Sequence, residues 1–323
     1  MFDLAALTAA VAAHGTVARV VVAGYQGSSP REVGAAMLVW DAKGLGPGQS
    51  GTIGGGALEF AAAAEARAML AQAVLARAVP PARLSREALG PKLGQCCGGV
   101  VMLLTEVYDA AGVAALSGDV VARGVDGTAM PLAVKRILAA ARGAGVLPAP
   151  GLVQGWMVEP VARPTRQLWV WGAGHVGRAV VAVLAPLPEF AVTWVDVAAD
   201  RFPADLHDGV TMLPAADPAV LAQHAPPGAE HLILTYSHVL DLALCDALLR
   251  RGFARCGLIG SKTKWARFRA RLAALGHGAG AIARIDCPIG ETALGKHPQA
   301  IAIGVAAALL RAAPAEQRQE TRA

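Results

Sequence analysis

The chain has 323 residues, of which 54% are hydrophobic and 16% charged, and it carries a formal net charge of +5 with a pI near 9.1. This length predicts two domains, and a thinly spread basic excess without interleaved aromatic side chains argues against nucleic-acid binding. No apolar run reaches membrane-spanning length, residues 1–13 lack the basic segment of a secretory signal peptide, and five irregularly spaced cysteines indicate a reducing compartment, so we expect a cytoplasmic protein.

The first half of the chain alternates helical and strand-like patterns. In chain order the predicted elements are a helix at 4–14, strands at 17–23 and 33–40, a turn region at 41–50, a helix at 57–78 and a strand at 100–107. Gly15 follows the first helix as a typical C-cap. The first half is therefore predicted to be a small α/β domain.

Two connections in this half are suited to an anion. Residues 27–31 (GSSPR) end in Arg31, whose guanidinium matches phosphate geometry, although a plain polar loop is the alternative. Gly54, Gly55 and Gly56 lead directly into the second helix, where free amides and the helix dipole favour negative charge. The run lacks the lysine of a P-loop, so an ATPase is not predicted; a tight loop without ligand is the alternative.

A third connection, Gln95-Cys96-Cys97-Gly98-Gly99, joins reactive thiols to loop-forming glycines. A thiolate is a strong soft ligand for a metal and a natural acceptor of transferred sulfur. Adjacent cysteines are poorly spaced for two corners of one tetrahedral zinc site. Packing as small hydrophobic residues is the alternative for both thiols.

The second half has the pattern of a dinucleotide-binding unit. After a weakly patterned stretch at 108–167, a strand at 168–171 meets a glycine turn at 172–177 (GAGHVG), which opens a helix. The next strand, at 191–195, ends in Asp196, and further strands predicted at 231–235, 257–259 and 283–285 alternate with helices at 241–251 and 264–275. This context predicts a Rossmann-like, doubly wound parallel sheet with ligand at the carboxyl ends of its strands.

Several polar side chains follow these strands or begin the helices after them. His175 would contact a ligand or shape the turn, His238 would carry a proton or cap a helix, and Lys262 would meet a phosphate. The helix predicted at 264–275 carries Lys264, Arg267, Arg269 and Arg271. We expect these four to form a solvated or partner-facing surface.

Taken together, the motifs closely resemble the XdhC/CoxI family, and within it the XdhC branch of xanthine dehydrogenase accessory proteins. The runs that carry the resemblance are 27–31, 51–59, 93–99, 172–177, 237–238, 257–264 and 287–290. The triple glycine before Ala57 and the paired cysteines point to the branch. The match covers about 16–107 and 168–312, and a departure occurs at 291–294, where a more glycine-rich connection is expected.

The resemblance implies a chaperone that binds the molybdenum cofactor (Mo-molybdopterin) transiently. It would hold the cofactor while a cysteine desulfurase supplies sulfur, and deliver it to the molybdenum subunit of xanthine dehydrogenase in purine metabolism. It also implies a homo-oligomer, most simply a dimer. The cofactor-binding residues would be Gln95, Cys96, Cys97, Gly98, Gly54, Gly55, Gly56, Arg31, Gly172, Gly174, His175 and Gly177, with Cys96 and Cys97 as metal ligands.

Several alternatives stay open at this stage. The predicted domains are 1–160, carrying the cofactor loops, and 161–313, the Rossmann-like unit, followed by a loose tail at 314–323. Either domain would suit the pterin phosphate, and either cysteine would ligate molybdenum or carry sulfur. The competing function is an NAD(P)-dependent oxidoreductase that uses the glycine turn and Asp196. No convincing catalytic acid/base pair stands beside that turn in the sequence, and a non-catalytic scaffold is a third possibility.

Overall fold

The computed structural model describes residues 1–42, 46–90, 99–125, 127–205 and 209–311. The chain forms two compact units, Met1–Ala162 and Arg163–Ala323. The tail predicted at 314–323 lies outside the described residues. No helix in the described part of the chain combines the length and the apolarity that crossing a membrane requires.

The N-terminal unit is built on two antiparallel sheets. Its helices are α1 (Leu4–His14), α2 (Gly56–Ala76), α3 (Ala110–Ala114) and α4 (Leu132–Ala144). Its strands are β1 (Val17–Gln26), β2 (Ala36–Ala42), β3 (Gly46–Gly51), β4 (Arg83–Ala88), β5 (Val100–Tyr108), β6 (Val120–Gly124), β7 (Gly151–Val153) and β8 (Trp156–Pro160). The larger sheet has the order β3-β2-β1-β5-β4, and the smaller has the order β6-β8-β7.

Strand β1 is the centre of this unit because both of its faces are covered. Ala18, Val20 and Val22 pack against α2, whereas Val21 and Ala23 pack towards the three-stranded sheet. A strand buried on both faces needs apolar residues at successive positions, which explains the unbroken run recognised in the sequence. The packing of α2 on one face and a second sheet on the other gives the unit three layers.

Four charged side chains are buried between the two sheets of this unit. Glu159 accepts hydrogen bonds from Arg19 Nη1 and Nη2 (3.0 and 2.7 Å) and from Arg123 Nη2 (2.5 Å). Arg123 Nε also donates to Glu106 (2.7 Å), and both guanidinium groups lie over the ring of Phe2. The two positive and two negative charges balance, which allows the cluster to be buried.

The C-terminal unit has one parallel sheet with helices on both faces. Its strands are β9 (Arg166–Trp171), β10 (Phe190–Asp196), β11 (Thr211–Pro214), β12 (Glu230–Ile233), β13 (Arg255–Leu258) and β14 (Ile285–Asp286). Its helices are α5 (His175–Leu184), α6 (Pro218–Ala222), α7 (His238–Arg251), α8 (Lys262–Ala274), α9 (Ala279–Ile282) and α10 (Pro298–Arg311).

The strand order β11-β10-β9-β12-β13-β14 is the 3-2-1-4-5-6 order of a Rossmann fold. Trp171 and Ile233 face the layer that contains α7 and α8, whereas Val170 and Leu232 face α5 and α10. The predicted fold class, a small α/β domain followed by a Rossmann-like doubly wound domain, is confirmed. The topological switch point lies between β9 and β12, beside the glycine turn.

Two predicted connections proved to be strands. The turn region predicted at 41–50 contains β3, and the connection after α2 contains β4; both are edge strands of the five-stranded sheet. An edge strand needs fewer buried side chains, so its sequence can lack the apolar pattern by which strands are recognised. Strand β3 contains glycine and proline, and β4 contains alternating polar residues. The strand predicted at 283–285 is shifted, since α9 precedes it and β14 is Ile285–Asp286.

Candidate functional site

Two of the loops singled out in the N-terminal unit, and the residue that follows the third, approach one another at the end of β1. A Cβ atom placed on Gly54 would lie 2.6 Å from Cβ and Cγ of Pro30, so the 52–55 loop rests directly on the 28–31 loop. A Cβ on Gly99 would lie 1.9 Å from the carbonyl oxygen of Ser28, so the backbone after the cysteine loop touches the same segment. These close approaches leave room only for glycine.

Gln95, Cys96, Cys97 and Gly98 lie outside the described residues, and their assignment stays a prediction. The positions on either side are described. The amide of Leu89 donates to the carbonyl of Gly99 (2.9 Å), and β4 and β5 pair from Ala88 and Val100 onward. The cysteine pair therefore belongs to the connection of a β4–β5 hairpin whose base adjoins Ser28.

A carboxylate of the chain itself holds the amides of the triple-glycine loop. Glu59, in the first turns of α2, accepts from the amides of Ile53 (3.0 Å) and Gly55 (3.1 Å) and from Thr52 Oγ1 (2.5 Å). Gln49 Nε2 donates to its other oxygen (2.8 Å). Burial opposes ionisation of this carboxyl, but the hydrogen bonds outweigh it and lower its pKa.

The role of Glu59 as a shared acceptor for this loop was not predicted from the sequence. In the structure, the amides of Ile53 and Gly55 donate to a carboxylate of the chain itself. Whether Gly54, Gly55 and Gly56 also bind an external phosphate stays a prediction. A Cβ on Gly55 would meet no atom within 4 Å, so this point of the loop is open to a ligand.

Replacing Glu59 with alanine is expected to lower the free energy of unfolding by about 1–2 kcal/mol, because the amides of the loop lose their shared acceptor. Glu59→Gln keeps one acceptor oxygen and should lose less. Thermal unfolding followed by circular dichroism measures both variants. An alanine variant as stable as the wild type would contradict this role.

Arg31 lies beside the same loop, with its Cγ 3.7 Å from the place of a Cβ on Gly54. Its Nε and Nη2 donate to Glu32 (3.0 and 2.9 Å), and its side chain is 38% exposed. The hydrogen bond to Glu32 raises the pKa of Arg31 and lowers that of Glu32 to about 2. Nη1 makes no hydrogen bond with a described residue, which leaves one donor for an anion.

The glycine turn of the C-terminal unit has one position open to a ligand. Gly174 is the N-cap of α5, no side chain caps it, and a Cβ there would meet no atom within 4 Å. His175 begins the helix and is exposed. Gly172 and Gly177, by contrast, lie against neighbouring backbone. In this respect the turn is like a dinucleotide-binding loop, in which some glycines allow close packing of the backbone and one leaves space for the phosphates.

Asp196 is placed differently from a ribose-binding acid. It is 4% exposed, and its two carboxylate oxygens accept from the amides of Ala173 (2.5 Å) and Val197 (2.7 Å). Arg201 Nε lies 3.5 Å from the same group. These contacts engage both oxygens of a buried carboxylate, so Asp196 ties the glycine turn to the end of β10 and is not exposed as a ribose-binding acid would be.

A buried ion pair lies near the carboxyl ends of β12 and β13. Lys264 Nζ donates to Asp241 (2.6 Å) and to the carbonyl of Ile259 (2.8 Å), and Thr235 Oγ1 donates to the other oxygen of Asp241 (2.6 Å). The expectation that Lys264 is solvated or partner-facing is therefore wrong. Its long stem reaches inward to a carboxylate that is itself 0% exposed, a pairing that sequence spacing does not reveal.

The remaining polar residues at this edge are less specific. Ser237 and Ser261 cap α7 and α8, so His238 and Lys262 are exposed first residues of their helices. Cys287 is half-buried, and burial raises the pKa of its thiol to about 11 although Lys264 opposes the shift. Within the described residues, no group of three or more His, Cys, Asp or Glu side chains is placed to hold a metal ion.

Comparisons with known proteins agree with this architecture. The model of the XdhC Rossmann domain matches residues 168–309, and the model of the XdhC and CoxI family matches residues 10–77. A solved structure from Bacillus halodurans, described as a xanthine dehydrogenase, is 18% identical, with a TM-score of 0.66 over 96% of this chain and 95% of that chain. At this identity the likeness concerns the fold alone.

A short-chain dehydrogenase/reductase from Veillonella parvula, solved in complex with NADP, is 14% identical. It matches 47% of this chain and 90% of its own with a TM-score of 0.31, too low to support a functional argument. No curated protein sequence matches the chain.

The fold and the site define a two-unit α/β protein in which an antiparallel unit carrying converging loops precedes a Rossmann unit. The chain belongs to the XdhC and CoxI family, and the resemblance noted in the sequence is confirmed.

Proposed function

We propose that this protein binds Mo-molybdopterin, holds it while a cysteine desulfurase supplies the terminal sulfur, and delivers it to apo-xanthine dehydrogenase. Membership of the XdhC and CoxI family, a family of accessory proteins, suggests a role in the maturation of xanthine dehydrogenase. The observation that supports the finer proposal is that the 52–55 loop and Gly99, which follows the paired cysteines in the chain, both lie against the 28–31 segment at the end of β1. The 52–55 and 28–31 segments are rich in amides and hydroxyls.

The residues present fit the phosphate end of such a cofactor. Arg31 keeps one unpaired donor beside Gly54, and Gly55 is open to solvent on the side where a side chain would stand. Glu59 already neutralises the inner amides, so Arg31 is the group that meets an incoming phosphate first. Displacement of Glu59 would then add the loop amides as donors.

Cys96 and Cys97 would serve the metal end of the cofactor, by ligating molybdenum or by carrying sulfur. Thiolate sulfur suits a soft metal centre and sulfur transfer better than oxygen or nitrogen ligands do. When bound, the cofactor provides the molybdenum centre that the recipient enzyme needs. The chain itself would bind it, shelter it from water and release it unchanged in its carbon skeleton.

Molybdenum analysis after mixing with free cofactor tests the proposal. Wild-type protein should retain molybdenum through gel filtration, whereas Cys96→Ala or Cys97→Ala should retain less and unfold at the same temperature. Cys287→Ala is the matched control, because it removes a thiol from the other unit and should retain cofactor as the wild type does. Failure of the wild type to retain molybdenum at micromolar concentration would overturn the proposal.

A second pair of variants decides which unit binds the phosphate. Arg31→Ala removes the free donor of the N-terminal unit, and Gly174→Val fills the open position of the glycine turn. If the N-terminal loops hold the phosphate, only Arg31→Ala should weaken retention. If only Gly174→Val weakens retention of molybdenum, the phosphate binds to the Rossmann unit instead.

The second candidate function is an NAD(P)-dependent oxidoreductase, which the 3-2-1-4-5-6 strand order and the open Gly174 favour. The engagement of Asp196 by two backbone amides weakens it. Titration of NADH fluorescence separates the two functions, since tight, saturable binding with hydride transfer would favour the oxidoreductase.

A further inference from the structure

The charge around α8 is strongly one-sided. Between residues 247 and 285 the chain has no aspartate or glutamate and nine basic residues. These are Arg250, Arg251, Arg255, Lys262, Lys264, Arg267, Arg269, Arg271 and Arg284. A run of like charge of this length repels itself and attracts an oppositely charged surface.

Five of the nine have partners within the unit. Arg250, Arg255 and Lys264 pair with carboxylates, and Arg251 and Arg284 donate to backbone carbonyls. The other four, Lys262, Arg267, Arg269 and Arg271, are exposed and form no ion pair or hydrogen bond with a described residue. All four lie on α8, so the positive charge left over is concentrated on one helix.

An apolar groove of about 640 Å³ lies against α8 and is lined by one of these cations, Arg269. We call it the α8–α9 groove; it is lined by Trp265, Ala266, Arg269, Ala270, Ala273, Ala279, Ile282, Ala283 and Ile285. Ile282 and Ile285 are buried and Trp265 is half-buried, whereas the alanines that line the groove are exposed. Arg269 lines the groove and is also one of the four cations without a partner among the described residues. The positive charge therefore adjoins the apolar surface.

We propose that the α8–α9 groove docks an acidic segment of a partner protein. An apolar side chain of that segment would fill the groove, and its carboxylates would meet Arg269 in the groove lining and Lys262, which the helix period places on the same side of α8. An interface of this kind combines an apolar core with a charged rim that sets specificity and association rate. The proposal concerns a surface of the C-terminal unit and does not depend on cofactor binding.

A protein segment fits this surface better than a nucleic acid or a membrane does. A single-stranded nucleic acid would need exposed aromatic rings for stacking, and Trp265 is the aromatic residue in the groove but is half-buried. A membrane-binding helix presents large apolar side chains beside its cations, whereas the exposed apolar residues of α8 are alanines. Alanine leaves space that a leucine-sized side chain of a partner would fill.

Fluorescence anisotropy with synthetic probes tests the proposal on the full chain. The probe is a fluorescein-labelled helical peptide with glutamates along one face and leucines along the other. Its controls are the same peptide with glutamine for glutamate, a single-stranded RNA, and vesicles containing phosphatidylserine. The acidic peptide should bind saturably, weaken as salt rises, and bind at least about tenfold more tightly than the glutamine peptide.

Two variants locate the binding. The double variant Lys262→Glu/Arg269→Glu should weaken binding of the acidic peptide by about tenfold or more, and Ala270→Trp, which fills the groove, should weaken it without any change of charge. The matched control Arg136→Glu/Arg142→Glu makes the same charge change on α4, at exposed arginines of the other unit, and should have little effect. Circular dichroism verifies that each variant is folded.

Three results would overturn the proposal: an acidic peptide that binds no better than its glutamine analogue, equal losses in the α8 and α4 variants, or tighter binding of RNA or vesicles than of the peptide. Molybdenum retention by the same α8 variant is expected to equal that of the wild type. Failure of the wild type to retain molybdenum would therefore count against the proposed function and would leave the inference about this surface unaffected.

Discussion

Replacing Glu159 with leucine is expected to lower the free energy of unfolding by about 3–5 kcal/mol. The carboxylate is 0% exposed and accepts hydrogen bonds from Arg19 and Arg123, whose side chains are only 2% and 10% exposed. Without it, two guanidinium groups share the single carboxylate of Glu106, and one buried positive charge is left uncompensated. Denaturant titration followed by circular dichroism and tryptophan fluorescence measures the loss.

Two comparisons separate uncompensated charge from lost packing. The double variant Arg19→Met/Glu159→Leu removes one charge of each sign, leaves the Arg123–Glu106 pair, and should therefore lose less stability than Glu159→Leu alone. Glu65→Ala breaks the exposed pair with Arg83 (2.6 Å) and should cost less than about 1 kcal/mol. A double variant less stable than the single one would show that the cluster acts through its packing.

The same cluster predicts a dependence on pH. Burial alone would raise the pKa of Glu159, but the guanidinium groups of Arg19 and Arg123 outweigh it and lower that pKa. A carboxyl with a lowered pKa in the folded state stabilises the protein above its ordinary pKa and loses that contribution as the pH falls through the lowered value. The stability difference between wild type and Glu159→Leu should therefore shrink in acid.

The C-terminal unit was predictable because its signals are local. The glycine turn at 172–177 directly follows a buried strand and opens a helix, so fold and turn are encoded within a few residues of one another. The N-terminal sheet was recognised only through its central strands. Arg19 sits inside an apolar run, and its partner Glu159 is distant in sequence, so no pattern of period two reveals the pair.

The candidate site was predicted in its parts but not in its internal contacts. Glycine runs and Arg31 indicated loops for negative charge, and the structure brings Pro30, Gly54, Ser28 and Gly99 together at one end of β1. The capture of the loop amides by Glu59 depends on a side chain folding back over its own helix terminus. The position of Lys264 depends on Asp241 across two helices. Both contacts arise from tertiary packing, which the spacing of residues along the chain does not determine.

Gly177→Ala is expected to disrupt the C-terminal unit, with a loss of about 3 kcal/mol or more in the free energy of unfolding. A Cβ there would lie 2.0 Å from the carbonyl oxygen of Gly172, and that oxygen also accepts a hydrogen bond from Trp194 Nε1 (3.0 Å). The backbone carbonyl of Gly172 cannot move aside as the end of a flexible side chain can. The helix α5 would have to shift off the sheet, and the fluorescence of the buried Trp194 should report that shift.

Gly174→Ala is the matched control, because it makes the same chemical change three residues earlier in the same turn. Gly174 has φ −74°, which any residue adopts, and a Cβ there meets no atom within 4 Å, so its stability should change by less than about 1 kcal/mol. If both variants were equally stable, the close contact between α5 and β9 would not constrain the unit. If only Gly177→Ala is destabilised, the fold requires glycine at 177 and tolerates a side chain at 174, so the space at Gly174 is available to the proposed ligand without a structural role of its own.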